Sequence, residues 1–201
     1  MAVIAYQYRG ELVDQIHRGH IAVTDHTGRI LWKLGDPERL TFARSSAKPL
    51  QAIPVAESGA LEHYGITPQE LAVICSSHNG EPFHVKAVES ILHKAGLSPD
   101  QLCCGAEYPM YVPAEDALKI AGIPRAPIYC DCSGKHAGML ITARHFGEPL
   151  ENYTALEHPV QQRILSVFAE MCGVETSEVQ LAVDGCGVPV LSLIHISEPT
   201  R

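Results

Sequence analysis

Apolar stretches alternate with segments of helical periodicity along the chain, and this alternation predicts an α/β protein. Residues 19 to 34 carry apolar and β-branched residues on both sides of the turn Asp25-His26-Thr27-Gly28, which predicts a β-hairpin. The continuous apolar run Leu71–Cys75 predicts a strand buried on both faces. Two further strands are predicted at Ile128–Cys130 and Val179–Val183.

Helices are predicted where apolar residues keep helical spacing and a glycine or proline marks an end. A short one begins at Thr67-Pro68-Gln69-Glu70, which combines an N-cap, a proline and a capping glutamate. With the hairpin, the helices indicate a mixed, partly antiparallel sheet flanked by helices. The longer predicted helices are Ser45–Ser58, Pro82–Ala95, Pro113–Ala121, Ala137–Phe146 and Pro159–Cys172.

The composition limits the class of partner. With 201 residues, of which 46% are hydrophobic, the chain is long enough to bury a core. A formal net charge of -8 without a cluster of lysine or arginine argues against a nucleic-acid or anionic-membrane partner, and favours a small molecule. The sequence has no basic leader followed by a long apolar stretch, so we expect a soluble, cytoplasmic protein.

Seven cysteines are expected to be thiols or metal ligands, because no export signal points to an oxidising compartment. Four lie in apolar or helical surroundings and are expected to be small buried hydrophobes without a functional role: Cys75, Cys103, Cys104 and Cys172. Three lie in glycine-rich turns, where ligands are more frequent: Cys130, Cys132 and Cys186.

Ser45 and Lys48 stand three residues apart at a predicted helix start, and residues with this spacing share one helix face. A serine hydroxyl becomes a nucleophile when a base takes its proton, and a lysine can act as that base when its surroundings lower its pKa. The apolar run Leu50–Ala56 can bury the amine. The same spacing also occurs in solvated helix caps, so it indicates catalysis only weakly.

Three turns predicted to follow strands carry polar side chains: Ser76–Glu81, Cys132–His136 and Asp184–Gly187. Loops at the carboxyl ends of buried strands often bind ligands. Two cysteine thiolates and one more donor would bind zinc and leave its fourth position open. The third donor could be Lys135, His136 or Asp184, of which lysine is least expected because its amine must first lose a proton. Purely structural thiols are the alternative interpretation.

Four motifs in this order resemble the asparaginase II family, the zinc-containing asparaginases of rhizobial type. They are Arg44-Ser-Ser-Ala-Lys-Pro, Cys75-Ser-Ser-His-Asn-Gly-Glu, Cys132-Ser-Gly-Lys-His-Ala-Gly-Met and Asp184-Gly-Cys-Gly-Val-Pro. The resemblance covers residues 2 to 190. It implies hydrolysis of L-asparagine to aspartate and ammonia, on a fold similar to serine β-lactamases and glutaminases.

The resemblance also implies roles for individual residues. The nucleophile and base fall on Ser45 and Lys48, and a second active-site serine falls on Ser77. A homodimer is implied for a full-length relative. The implied zinc ligands are Cys132, Lys135 and Cys186, and the implied substrate-pocket residues are Arg44, His136 and Asp184.

The resemblance ends at Val190, and residues 191–201 match one reading frame of a sequencing adapter. We therefore expect residues 1–190 to be the N-terminal part of a single asparaginase II domain and 191–201 to be an adapter-derived tail. Family members continue further and supply another active-site lysine, so the fold is expected to be incomplete at its C-terminus and this chain alone inactive.

Two other interpretations stay open from the sequence. Another Ser-x-x-Lys acyl hydrolase, such as a glutaminase or a β-lactamase-like enzyme, would need no metal. A catalytically dead zinc-binding fragment is the other possibility, and the seven cysteines are its support. Bound zinc separates the first interpretation from the asparaginase, and release of ammonia from asparagine separates the second.

Overall fold

The computed structural model describes residues 1–194, and more of these residues lie in helices than in strands. Helices and strands together confirm the predicted α/β class. Three of the predicted helices agree closely with α4, α5 and α7. The helices are α1 Lys48–Glu57, α2 Ala60–Tyr64, α3 Pro68–Ile74, α4 Pro82–Lys94, α5 Val112–Ile120, α6 Ser133–Phe146 and α7 Pro159–Cys172.

Seven strands among the described residues form three small antiparallel sheets. They are β1 Ala2–Arg9, β2 Leu12–Gly19, β3 Ile21–Thr24, β4 Ile30–Leu34, β5 Leu40–Phe42, β6 Gln180–Val183 and β7 Pro189–Ile194. Strand β1 pairs with β2, β3 pairs with β4, and β7 lies between β5 and β6. The hairpin predicted at residues 19 to 34 is confirmed as β3 and β4.

The third sheet joins distant parts of the sequence next to the candidate site. The amide of Ala43, directly after β5, donates a hydrogen bond to the carbonyl of Leu191 in β7 at 3.0 Å. Ser192 Oγ donates to the carbonyl of Thr41 at 2.6 Å. This pairing brings the start of the Ser45 motif beside the turn that joins β6 to β7.

Helix α6 is the centre of the helical layer, since every residue from Ser133 to Ala143 is buried. A helix buried on all sides needs close neighbours, and glycine makes this approach possible. A Cβ on Gly134 would lie 2.3 Å from the carbonyl oxygen of Val73 in α3, and one on Gly138 would lie 2.6 Å from Cγ2 of Ile74. Helix α3 therefore packs directly on α6 and holds its first turn in place.

Two predicted strands are wrong. Leu71–Cys75 lies mostly in helix α3. A capping box of Thr67 and Glu70 begins this helix. The Thr67 amide donates to Glu70 Oε2 at 2.7 Å, and the Glu70 amide donates to Thr67 Oγ1 at 3.3 Å. Ile128–Cys130 lies in a 3-10 turn, Pro127–Tyr129, that proline begins. A short buried apolar run fits a helix and a strand equally well, so periodicity alone could not separate them.

The hydrophobic pattern does not predict the first hairpin, β1 and β2, most of whose residues are exposed. Several large apolar side chains lie at the surface of the two hairpins: Tyr6, Tyr8, Leu12, Ile16, Leu31 and Trp32. Among the described residues, no helix combines the length and hydrophobicity that crossing a membrane requires.

Candidate active site

A sharp turn of the backbone leads from β5 into the candidate site. Arg44 has a left-handed φ of 48°, a conformation that costs a non-glycine residue about 1–2 kcal/mol. Residues Arg44–Ala47 form one 3-10 turn, and α1 begins directly after it at Lys48. The predicted helix Ser45–Ser58 is therefore confirmed in place, but its first turn is 3-10 rather than α-helical.

The Lys48 amine is buried and held by three oxygen acceptors. Only 2% of Lys48 is exposed. Its Nζ donates to Ser77 Oγ at 2.7 Å and lies 3.4 Å and 3.5 Å from the carbonyl oxygens of Ser76 and Asp131. Ser77 Oγ in turn donates to Ser45 Oγ at 3.4 Å. The three side chains thus form a hydrogen-bonded row, in which Ser77 stands between Lys48 and Ser45.

The Asp131 carboxylate is part of the same electrostatic environment. Burial acts to raise the pKa of Asp131, but the positive charge of Lys48 and the polar side chains of Cys132 and Ser77 outweigh it and hold this pKa below its usual value. The carboxylate is therefore charged at neutral pH. It supplies a negative charge close to the buried amine.

His78 fixes the loop that carries Ser77. Its main-chain amide donates to the Asp131 carbonyl at 3.2 Å. Its Nδ1 accepts from the Gly80 amide at 3.1 Å, so the ring proton lies on Nε2, which is 2.8 Å from Ser133 Oγ. Burial, and then the charges of His84 and Lys48, lower the pKa of His78 to about 4, so the ring is neutral at pH 7.

A small cavity of about 170 Å³ opens beside Ser45. Its walls come from four separate parts of the sequence, and they combine cationic, anionic and sulfur-containing side chains. The lining residues are Arg44, Ser45, Cys104, Glu107, Cys130, Asp131, Cys132, Asp184, Gly185 and Cys186.

Two of the implied zinc ligands, Cys132 and Cys186, are buried in one wall of this cavity. Lys135 Nζ donates to Cys186 Sγ at 3.2 Å, so the third implied ligand meets them. Interaction with Cys132, followed by burial, raises the pKa of Cys186 to about 11. Two neighbouring cysteine sulfurs and an amine nitrogen are ligands that zinc can bind. A divalent cation would also stabilise the deprotonated, thiolate form of both cysteines. The residues present therefore fit zinc.

The turn between β6 and β7 brings opposite charges to the rim of the cavity. Asp184 Oδ1 lies 3.8 Å from Arg44 Nη2, and the Arg44 side chain is 73% exposed. The turn closes through a hydrogen bond from the Gly187 amide to the Asp184 carbonyl at 2.9 Å, and Gly187 has a φ of 85°. Such a rim offers a cation and an anion to a small zwitterion.

His136, for which the resemblance implies a place in the substrate pocket, is not among the residues that line this cavity. It is 0% exposed, and its Nδ1 is 2.7 Å from the hydroxyl of Tyr153. That hydroxyl accepts a hydrogen bond from the Cys103 amide at 2.8 Å, and burial raises the pKa of Tyr153, so the hydroxyl stays protonated and donates to Nδ1. Burial lowers the pKa of His136, and it outweighs an interaction of the ring with the Cys186 side chain, which acts to raise that pKa.

Sequence reasoning misses part of this arrangement. Cys104 is expected to have no role, yet it lines the cavity, as do Glu107 and Asp131. Of the three turns, only Asp184–Gly187 follows a strand. Residues Ser76–Glu81 follow helix α3, and Cys132–His136 lies mostly in the first turn of α6, against which α3 packs. The Cys-Asp-Cys spacing at residues 130–132 is the one sequence signal that could have pointed to Asp131.

Comparison with known proteins supplies the remaining finding. Residues 5–197 match the family model described as L-asparaginase II. The match covers almost the whole chain and all four motifs. A search of curated proteins gives no significant match.

Proposed function

Because the chain belongs to the L-asparaginase II family, we propose that its domain hydrolyses the side-chain amide of L-asparagine to L-aspartate and ammonia. The observation that supports this most directly is the row Lys48–Ser77–Ser45 at the edge of a cavity of about 170 Å³. A buried amine next to two hydroxyls can supply the general base and the nucleophile that acyl transfer to serine requires. The small cavity suits a substrate the size of one amino acid.

We assign Ser45 as the nucleophile, because it lines the cavity and Lys48 is buried behind Ser77. Ser45 Oγ attacks the amide carbon, its proton passes to Ser77 Oγ, and the Ser77 proton passes to Lys48 Nζ, which accepts it only as the free amine. The proton returns along the same row to the nitrogen that leaves as ammonia. Water then hydrolyses the aspartyl ester on Ser45, with the row acting once more as general base.

The charged rim supports recognition of a free amino acid. Arg44 can pair with the α-carboxylate of the substrate, and Asp184 can pair with the α-ammonium group. In this structure the two side chains are 3.8 Å apart and partly satisfy each other. The substrate would replace this contact, so recognition would require both charges.

Cys132, Lys135 and Cys186 would hold the zinc ion. When bound, zinc supplies a positive charge that positions the polar α-groups of the substrate. The residues themselves bind the ion, orient the β6–β7 turn and keep the cavity wall closed. Their contribution belongs to substrate binding more than to bond breaking.

The test is release of ammonia from asparagine and from glutamine. We propose that residues 1–190 are one part of the domain and that a further lysine comes from outside this part, so the assay uses a chain completed from a full-length relative beside the present chain. The completed chain should release ammonia, and Ser45→Ala and Lys48→Ala should each abolish it. Ser46→Ala is the matched control, since its hydroxyl donates to the Ala43 carbonyl outside the row. Normal turnover by Ser45→Ala would contradict the assignment.

A further inference from the structure

The cavity wall contains more sulfur than one zinc site uses. Of the seven cysteines in the sequence, four line the cavity beside Ser45. The proposed zinc position accounts for Cys132 and Cys186. Cys104 and Cys130 are only 2% and 1% exposed, and no step of the proposed reaction involves them.

Cys130 belongs to a compact group of metal donors. The Sγ atoms of Cys130 and Cys132 and a carboxylate oxygen of Asp131 all lie within 4.8 Å of one another. Within residues 1–194, this is the group of His, Cys, Asp and Glu side chains that meets this distance. A tetrahedral zinc ion with bonds of about 2.3 Å to sulfur and about 2.0–2.2 Å to oxygen needs donors roughly 3.5–3.8 Å apart. The group therefore needs to contract by at most about 1 Å to close around an ion.

The chemistry of these donors selects a class of cation. Two sulfurs favour thiophilic ions such as Zn²⁺ and Cd²⁺ over Mg²⁺ or Ca²⁺. The Asp131 carboxylate carries a negative charge, and each thiol that loses its proton adds another, so a divalent ion would be neutralised within a buried wall. Cys104 lies next to the group, because Cys130 Sγ is 3.4 Å from the Cys104 carbonyl.

This group differs from the zinc ligands implied by the family. Lys135 meets the cavity wall at Cys186, at 3.2 Å, and not at Cys130. Cys132 is the member that both sets have in common. Two overlapping positions therefore exist along one wall, with the Cys132 sulfur between them.

We propose that Cys130, Asp131 and Cys132 form a second binding position for a thiophilic divalent cation, adjacent to the position held by Cys132, Lys135 and Cys186. The sharing of Cys132 rests on the proposed zinc site, whereas the Cys130–Asp131–Cys132 group stands on its own geometry. With both positions filled, Cys132 would be the ligand that the two cations share.

Titration of the reduced, metal-free chain with Cd²⁺ tests the proposal. Cadmium–thiolate absorption in the ultraviolet follows binding, and elemental analysis after gel filtration counts the ions. The unaltered chain should bind about two Cd²⁺ ions, Cys130→Ser about one and Cys186→Ser about one. Asp131→Asn keeps both thiols and should weaken the position at Cys130 by at least about tenfold. Far-ultraviolet circular dichroism establishes that each variant is folded.

Cys103→Ser is the matched control, because this exposed thiol neighbours Cys104 and is outside the group. It should leave both cadmium ions in place. A single ion in the unaltered chain that is kept in Cys130→Ser and lost in Cys186→Ser, an unchanged count in Cys130→Ser, or loss of an ion in Cys103→Ser would each overturn the proposal. Loss of an ion in Cys130→Ser with an unchanged count in Cys186→Ser would overturn the proposed zinc position instead and still support this one.

Discussion

Replacing Ser77 by alanine removes the hydroxyl that connects the buried amine to the proposed nucleophile. That hydroxyl is 2.7 Å from Lys48 Nζ and 3.4 Å from Ser45 Oγ. Without it, a proton that leaves Ser45 has no hydrogen-bonded route to the amine. General-base catalysis contributes about 10²–10⁴-fold to a rate, so kcat should fall by about 10²–10⁴-fold, or about 3–5 kcal/mol in activation free energy. KM should change little, because Ser77 does not line the cavity described beside Ser45.

The assay is steady-state release of ammonia from asparagine by the completed chain. Ser76→Ala is the matched control, since Ser76 meets Lys48 through its main-chain carbonyl, at 3.4 Å, and keeps this contact when its side chain is removed. The double variant Ser77→Ala/Lys48→Met should be no slower than the slower of its two single variants, because members of one proton path do not contribute independently.

The relay through Ser77 is refuted if Ser77→Ala keeps kcat within about fivefold of the unaltered enzyme while Lys48→Met is inactive. That result would mean that Lys48 reaches Ser45 directly once substrate binds. An additive double variant would also contradict a single row of three groups.

Three further outcomes are expected. Cys132→Ser and Cys186→Ser should each lower zinc content by elemental analysis and raise KM more than they lower kcat, since the ion positions substrate; full zinc occupancy would contradict the site. Burial acts to raise the pKa of Glu70, but Lys94 and neighbouring hydrogen bonds lower it to about 2. The charged Glu70 should therefore contribute about 2–3 kcal/mol of stability above about pH 4.5, and this contribution should be lost as the pH falls towards 2. Denaturant titrations of Glu70→Gln should show no such loss. Gly134→Ala should lower the unfolding free energy by about 2 kcal/mol or more, because the added Cβ would lie 2.3 Å from the carbonyl oxygen of Val73. An unchanged melting temperature would contradict this packing.

Long helices with clear ends could be predicted from the sequence. Pro159–Cys172 agrees at both boundaries, because proline begins this helix and Gly173, in the left-handed region, ends it. The run Leu71–Cys75 is apolar without a helical period, and this pattern predicts a strand. Its helical state depends on packing against Gly134 and Gly138. These residues are about sixty positions away in the sequence, so the hydrophobic pattern of the run itself does not reveal the contact.

The candidate site, too, could be predicted only in part from the sequence. Spacing along the chain suggested that the Lys48 amine lies beside Ser45, three residues away, but the amine donates to Ser77, 29 residues further on. A long flexible side chain follows the available acceptors, which tertiary packing decides. The buried position of His136 and the participation of Tyr153 likewise depend on contacts between helices and loops.

The central claim is that an asparagine-derived acyl group forms on Ser45 in the row Lys48–Ser77–Ser45. Rapid quenching of the completed chain with asparagine, followed by peptide mass spectrometry, tests it most directly. The account predicts an aspartyl ester on the peptide that contains Ser45, released ammonia in equal amount, and no ester in Ser45→Ala. An ester on Ser77, or ammonia released without any ester on Ser45 under conditions that trap acyl-enzymes, would contradict it.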